Sequence, residues 1–361
     1  METRSILIMN WRDTHNPDAG GAEVYLHEIA RRWVQWGHEV SLITSRFPGS
    51  PEEESIDGVQ VVRGGGKYSV YRRAKRTYLE RFRGHSDVVL DSINTKPFGT
   101  PKYVDDQASK HALVYQLARE FWFYETPLPM ALLGRYVLEE HWLNQYCDVA
   151  TTTISASTKA DLLALGFRNV EVIHAGVSTK PLEALPVKED LPTLIFVGRL
   201  KKAKLPNHAV EAFRSVRARL PDARLWIVGG GYMMKRLRRE APPGVEFFGR
   251  VSEEQKVDLM RRAHLLLFPS VREGWGLTVL EANAVGTPAV GYDVPGQRDS
   301  IVHGQTGRLV PPGDAEAMAR ESLRLLSNPE EWSGLARAAL EYSRKFDWDQ
   351  TARLFLKRLA M

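Results

Sequence analysis

A chain of 361 residues is longer than one ordinary hydrophobic core sustains and points to two domains. At 43% apolar and 26% charged residues the composition is globular, which excludes disordered and fibrous classes. The formal charge of +5 is mildly basic, no window approaches the ~18 consecutive apolar residues of a membrane span, and the single cysteine, Cys147, excludes an internal disulfide framework or a cysteine-based zinc site. A cytoplasmic setting is expected. The early run Ser5–Met9 is too short for a signal-peptide core, and within it Ile6–Met9 reads as a first buried strand.

Further strands of the first half are expected at Val40–Thr44, Val88–Leu90, Leu113–Tyr115, Thr151–Ile154 and Val170–Ile173. Between the first two strands, Ala22–Trp36 places Ala22, Leu26, Ile29, Trp33 and Trp36 on one helix face, and Gly37 stands where a helix C-terminal glycine belongs. Ser157–Leu165, closed by Gly166, is a second such helix. Surplus positive charge is concentrated in residues 71–83 (Tyr71-Arg72-Arg73-Ala74-Lys75-Arg76 through Arg81 and Arg83). This is either a solvated helix face or a basic helix lying on anionic lipid at the inner face of the membrane. Signatures of nucleic-acid modules are absent, so no nucleic-acid partner is expected.

The second half begins after a stretch rich in proline and acid, Lys180–Pro192. Strands are expected at Leu194–Val197, Leu225–Val228, Val245–Phe248, Leu265–Phe268 and Ala289–Gly291, with helices at His208–Leu220, Tyr232–Glu240, Glu253–Arg262 and Leu277–Val285. The tail, Ala315–Leu326 and then Glu330 to Leu359, reads as purely helical. This strand–helix alternation predicts an α/β protein of two Rossmann-like domains, residues 1–177 and 178–345, facing one cleft.

Ligands of open parallel sheets bind at the carboxyl ends of strands, so the loops there are the candidate sites. After the first strand, Gly20 and Gly21 precede a helix, where a backbone can approach an anion closely. The segment matches neither the dinucleotide fingerprint nor a Walker loop. After the first strand of the second half, Arg199 can grip phosphate in fork geometry and Lys204 adds a point charge. Gly230, within Gly229-Gly230-Gly231, removes a side chain at the next strand end. At the one after that, the guanidinium of Arg250 and the amides of Arg250 and Val251 can meet a nucleobase, with Ser252 capping the following helix.

The most informative segment is Arg272-Glu273-Gly274-Trp275-Gly276-Leu277-Thr278-Val279-Leu280-Glu281. Its loop-to-helix junction offers free N–H groups and a positive dipole end to a phosphate. With Leu277 opening the helix, Glu281 lies ~6 Å along its axis, a sensible reach to a ribose. Glu273, in the loop, faces the sugar beyond the phosphate. The acceptor is expected around Asn10–Asp18, Asn94–Pro101 and the run Phe121-Trp122-Phe123-Tyr124. Asp347-Trp348-Asp349 has a metal-binding form but opens the last helix, where aspartates cap N–H groups, so no metal site is expected. Hydrolase elbows and zinc-protease motifs are absent. A nucleotide-sugar epimerase, a phosphorylase and a non-catalytic nucleotide-sugar-binding protein are the alternatives to a transferase.

At these residues the chain resembles the retaining family-4 glycosyltransferases of the GT-B fold, over nearly its whole length. The most specific part is the Glu-x7-Glu segment from Glu273 to Glu281; Gly20-Gly21-Ala22-Glu23 is similar to the family's amino-terminal glycine loop, and Arg199 with Lys204 to its diphosphate-gripping pair. The resemblance implies that Glu273 and the amides of Gly274, Trp275, Gly276, Leu277 and Thr278 contact the transferred sugar and diphosphate, that Glu281 holds ribose and that the Arg250–Val251 backbone meets the base. It implies transfer from a nucleoside diphosphate sugar to a hydroxyl acceptor (a glycan, a lipid-linked or a small molecule) with no metal or other cofactor, and a carboxy-terminal helix, about 346–361, that crosses back to the first domain. Family members commonly carry a histidine near the reacting carbon. Here that position is Tyr115, expected to assist by a hydrogen bond.

Overall fold

The computed structural model describes residues 3–360; the outer ends of the expected domains, at residues 1 and 361, lie outside the described residues. The chain forms two compact units. The first contains the chain up to Arg119, Pro129–Gly176 and the segment from Asp347 onward; the second contains Glu120–Leu128 and Val177–Phe346.

The first unit is built on an eight-stranded sheet: β1 (Ser5–Met9), β2 (Glu39–Thr44), β3 (Glu53–Ile56), β4 (Val59–Arg63), β5 (Val88–Ile93), β6 (Ser109–Val114), β7 (Ala150–Thr153) and β8 (Val170–Val172). Their order is β3-β4-β2-β1-β5-β6-β7-β8, and every pairing is parallel except β3 with β4. Burial on both faces explains why β1 and β5 read as continuous rather than alternating apolar runs. The helix Gly21–Gln35 starts where the Glu23 carboxylate accepts the Gly20 N–H at 2.7 Å. It stops in a Schellman motif: His38 N–H donates to Trp33, Gly37 N–H donates to Val34, and Gly37 takes φ +89°.

The last helix, Trp348–Leu359, belongs to this unit. Its Phe355 packs against Trp33 and Tyr25, and Trp33 Nε1 donates to the Ala352 carbonyl at 3.0 Å. All three rings are fully buried, and cutting such a ring back to alanine costs about 3–5 kcal/mol. Asp347 caps the helix by accepting the Gln350 N–H, and Asp349 pairs with Arg32 at 2.6 Å. These aspartates are engaged in capping and ion pairing, as their position at the helix start suggests.

The second unit carries six parallel strands: β9 (Thr193–Val197), β10 (Arg224–Val228), β11 (Val245–Gly249), β12 (Leu265–Phe268), β13 (Ala289–Tyr292) and β14 (Gly307–Val310). Their order is β11-β10-β9-β12-β13-β14. One face packs on the helices Pro206–Arg219 and Ala315–Leu326, the other on Glu253–Arg262 and Leu277–Ala284. The helical tail after Leu326 forms two helices, Pro329–Ser343 and Trp348–Leu359.

One segment departs from the sequence expectation. The aromatic run at 121–124, assigned by position to the first domain, forms the helix Phe121–Glu125 within the second unit. Its acidic neighbours bind there: Glu120 pairs with Arg272 at 2.7 Å, and Glu125 accepts the Ala203 N–H at 2.9 Å. Phe123 and Tyr124 remain exposed.

Candidate active site

In the second unit the chain builds from β9 outward to β10 and β11, then returns to build β12, β13 and β14 on the other side. The carboxyl ends of β9 and β12 therefore flank the switch point, where open α/β sheets bind ligands. The loop after β9 carries Arg199 and Lys204; the loop after β12 carries Ser270–Gly276. They meet directly. Lys204 Nζ lies 2.5 and 2.6 Å from the two carboxylate oxygens of Glu273, which is buried. The Ala203 carbonyl accepts from Val271 N–H and from Ser270 Oγ, each at 3.1 Å. Arg199 is exposed beside them.

Beyond Glu273 the chain enters the helix Leu277–Ala284 through Gly276, at φ +97°, and no side chain caps the helix start. A Cβ on Gly276 would lie 2.9 Å from Ser300 Oγ, so glycine is demanded by space as well as by φ. Gly274, Leu277 and Thr278 are half-buried around this turn, while Trp275 is buried edge-on to Phe346 at 5.5 Å. Uncapped N–H groups beside an ammonium group suit an anion of two phosphates.

Glu281, one turn on, is partly buried and 3.0 Å from Lys256 Nζ, which also lies 2.6 Å from Glu253. Burial holds the Glu281 carboxyl above the usual carboxylate range, and the Lys256 ammonium pulls it back. Lys256 was not singled out by its sequence context, because it sits among the ordinary charges of an amphipathic helix. Arg250 is exposed, and Val251 packs on the core at the start of the helix Glu253–Arg262. Ser252 caps that helix by accepting the Gln255 N–H at 3.2 Å.

The glycine triplet after β10 has a packing reason. A Cβ on Gly229 would sit 2.0 Å from the Gly198 carbonyl oxygen, and one on Gly231 2.4 Å from that of Leu200. These two glycines let the end of β10 lie against the loop that carries Arg199. Gly230 lies between them, its carbonyl accepting the Leu200 N–H at 2.9 Å.

In the first unit the switch point lies between β1 and β5, and the loops there are Asn10–Asp18 and Asn94–Pro101. Asn94 Nδ2 donates to Asn10 Oδ1 at 3.3 Å. Asp13 forms a buried ion pair with Arg63 at 2.8 Å. The second loop is shaped by Asp91, a fully buried acid that accepts from the amides of Phe98 and Thr100, the Thr100 hydroxyl and the Tyr146 hydroxyl. Val-Val-Leu-Asp-Ser-Ile held the signal for it: an acid inside an apolar strand. The Gly20 N–H is committed to Glu23, and Gly21 is exposed at the helix start.

Tyr115 stands at the end of β6 but its hydroxyl is committed. It donates to the Ala22 carbonyl at 3.0 Å and accepts from Ser92 Oγ at 3.2 Å, with its ring edge-on to Tyr25. Burial pushes the phenol far above its usual range. Through the Ala22 carbonyl the hydroxyl is tied to the start of the helix Gly21–Gln35.

Solved glycosyltransferases share this fold of two Rossmann-like units. Sucrose-phosphate synthase from Thermosynechococcus elongatus superposes with a TM-score of 0.82 at 19% identity, over 98% of each chain. The crystal structure of Anabaena HepE in complex with UDP-glucose gives a TM-score of 0.74 at 15% identity, over 99% of each chain. A D-inositol 3-phosphate glycosyltransferase from Nocardioides sp. is 28% identical, over 93% of this chain and 84% of its own. The profile of the glycosyl transferases group 1 matches residues 179–345, and that of Glycosyltransferase Family 4 matches residues 19–94. The chain belongs to the family-4 glycosyltransferases of the GT-B fold, and is a glycosyltransferase of enzyme class EC 2.4.

Proposed function

We propose that the enzyme moves a sugar from a nucleoside diphosphate sugar to a hydroxyl acceptor with retention of anomeric configuration, using neither a metal nor an organic cofactor. The observation that carries this reading is the Lys204–Glu273 pair at the switch point, set beside the uncapped start of the helix Leu277–Ala284. A diphosphate entering there takes Lys204, Arg199 and the amides of residues 274–278 as its partners. Glu273, released from Lys204, then orients the sugar hydroxyls. Glu281 takes the ribose hydroxyls and the Arg250–Val251 backbone takes the base.

The chemistry follows from what these groups can do. As the bond from the anomeric carbon to the phosphate oxygen breaks, negative charge grows on the diphosphate. Fixed donors aimed at such charge are worth about 3 kcal/mol each in comparable oxyanion sites. The departing phosphate oxygen takes the acceptor's hydroxyl proton on the same face, where the new bond forms. Retention then requires no enzymic base, which agrees with the committed hydroxyl of Tyr115. The UDP-glucose complex of HepE supports a nucleotide-sugar donor, and a relative named for a phosphorylated polyol supports a hydroxyl acceptor. Acceptor contacts fall to the loops Asn10–Asp18 and Asn94–Pro101.

We assign the enzyme a cytoplasmic setting with a peripheral contact to anionic membrane. Among the described residues no helix is long and apolar enough to cross a bilayer. The helix Val70–Thr77 exposes Arg72, Arg73, Lys75 and Arg76, and Met130, Leu132, Leu133, Tyr136 and Val137 expose apolar surface in the same unit. Lys96 lies 4.6 Å from the Tyr71 ring and 5.7 Å from that of Trp142. Exposed basic residues together with exposed apolar side chains are the groups that bind anionic lipid. Flotation with phosphatidylglycerol vesicles, lost on charge reversal of Arg72 and Arg73, tests this contact.

For the transfer itself, a thermal-shift screen across UDP, GDP, ADP and dTDP identifies the base. Lys204→Ala is expected to reduce turnover by about a hundredfold. Failure of all four to bind would remove the donor assignment.

A further inference from the structure

We infer that Glu125 and Glu120, on the segment 120–128, are positioning residues for the donor loops. This rests on the reading above that Lys204 and Glu273 hold the donor's diphosphate and sugar. The segment is far from those loops in sequence, yet it grips both. Glu125 accepts the Ala203 N–H at 2.9 Å and the Tyr232 hydroxyl at 3.1 Å, while Tyr232 Oη accepts the Lys202 N–H at 2.8 Å. Two successive amides of the short turn Lys202–Lys204 thus end on Glu125 or on the tyrosine bound to it. Glu120 takes the buried guanidinium of Arg272, the residue before Glu273, at 2.7 Å.

The turn and the loop after β12 are also joined to each other through the Ala203 carbonyl, which accepts from Val271 N–H and Ser270 Oγ. Ala203 is therefore held from both sides: its N–H by the segment, its carbonyl by the donor loop. Lys204 is the next residue and places its ammonium on Glu273. Leu205, the one after, sits at φ +48°, a conformation a leucine adopts only where its surroundings over-determine it. Without Glu125 the Ala203 N–H loses its acceptor, Tyr232 loses its anchor, and the lysine ammonium loses a fixed origin. Neither glutamate touches the proposed ligand; both act through residues that do.

The test is a double-mutant cycle on nucleoside diphosphate affinity, read by titration calorimetry with the tightest binder among UDP, GDP, ADP and dTDP. Glu125→Ala is expected to weaken binding about tenfold, the scale of one charge-assisted hydrogen bond. Glu125→Gln keeps an acceptor for the Ala203 N–H and is expected to restore most of that affinity. In a Lys204→Ala background, Glu125→Ala is expected to add less than about twofold, because its effect passes through the lysine. Glu120→Ala should weaken binding in the same direction, and unchanged melting temperatures would separate positioning from unfolding. Undiminished binding in Glu125→Ala, or an equal loss with and without Lys204, would overturn the inference while leaving the donor site intact. If Lys204→Ala itself binds as tightly as the wild type, the donor reading fails and the inference falls with it.

Discussion

At the residue scale, Glu273 and Glu281 have different partners although the sequence sets them eight positions apart in one motif. Glu273 is paired with Lys204, and Glu281 is paired with Lys256 on a neighbouring helix. Glu281→Ala is expected to weaken nucleoside diphosphate binding about tenfold by removing the ribose contact, measured by calorimetry. Binding that survives undiminished would remove the ribose assignment. Tyr115→Phe should behave differently. It leaves turnover within about twofold while lowering stability by about 1–2 kcal/mol, since Ser92 and the Ala22 carbonyl lose a buried partner. A large fall in turnover without loss of stability would return Tyr115 to the chemistry. The glutamates and glycines of this site were legible because each breaks a local pattern in sequence. Tyr115 was legible as a position, but its partners at Ser92 and Ala22 come from other elements.

At the element scale, most strands and helices followed from apolar runs and their spacing, since burial on both faces leaves a strong signal. The β3–β4 hairpin and β14 were missed. Glu53-Glu54-Ser55-Ile56 is polar, because it forms an outer strand with little core to face. Its turn did carry a signal: Asp57 and Gly58 take φ +49° and +83°, as a two-residue hairpin with Asp-Gly demands. The start of β9 shows how an element end sets a pH dependence. His264 Nδ1 accepts the Thr193 N–H at 3.2 Å, so the neutral imidazole is the form that fits. Burial and the neighbouring Lys188 lower its pKa to about 4. The unfolded chain therefore binds a proton that the folded one refuses between the ordinary value near 6.5 and about 4. The contribution is complete above pH ~6.5 and is lost as pH falls toward ~4, by about 1–3 kcal/mol. Melting curves of wild type and His264→Gln should diverge over that window, the variant being the less pH-sensitive; parallel curves would contradict the assignment. Gly229→Ala tests the packing of the donor loop. Its Cβ would meet the Gly198 carbonyl at 2.0 Å, so a loss of about 2–4 kcal/mol is expected by denaturant titration.

At the scale of the whole molecule, two Rossmann-like units were legible from the repeated strand–helix grammar and the proline- and acid-rich stretch between them. What the sequence concealed was where one piece of chain belongs. The last helix lies with the first unit, as the resemblance implied, but the segment 120–128 lies with the second, because long-range contacts, not neighbours in sequence, hold it there. That placement gives the second unit Glu120 and Glu125, which local patterning had grouped with an acceptor-binding aromatic run. The central claim is that this enzyme retains the anomeric configuration of a sugar it takes from a nucleoside diphosphate. It is tested most directly by following the anomeric proton by NMR during transfer from an α-linked donor, using the nucleotide that the binding screen selects. The account predicts an α-linked product and release of the nucleoside diphosphate, both lost in Lys204→Ala. A β-linked product, or transfer that survives that substitution at full rate, would contradict it.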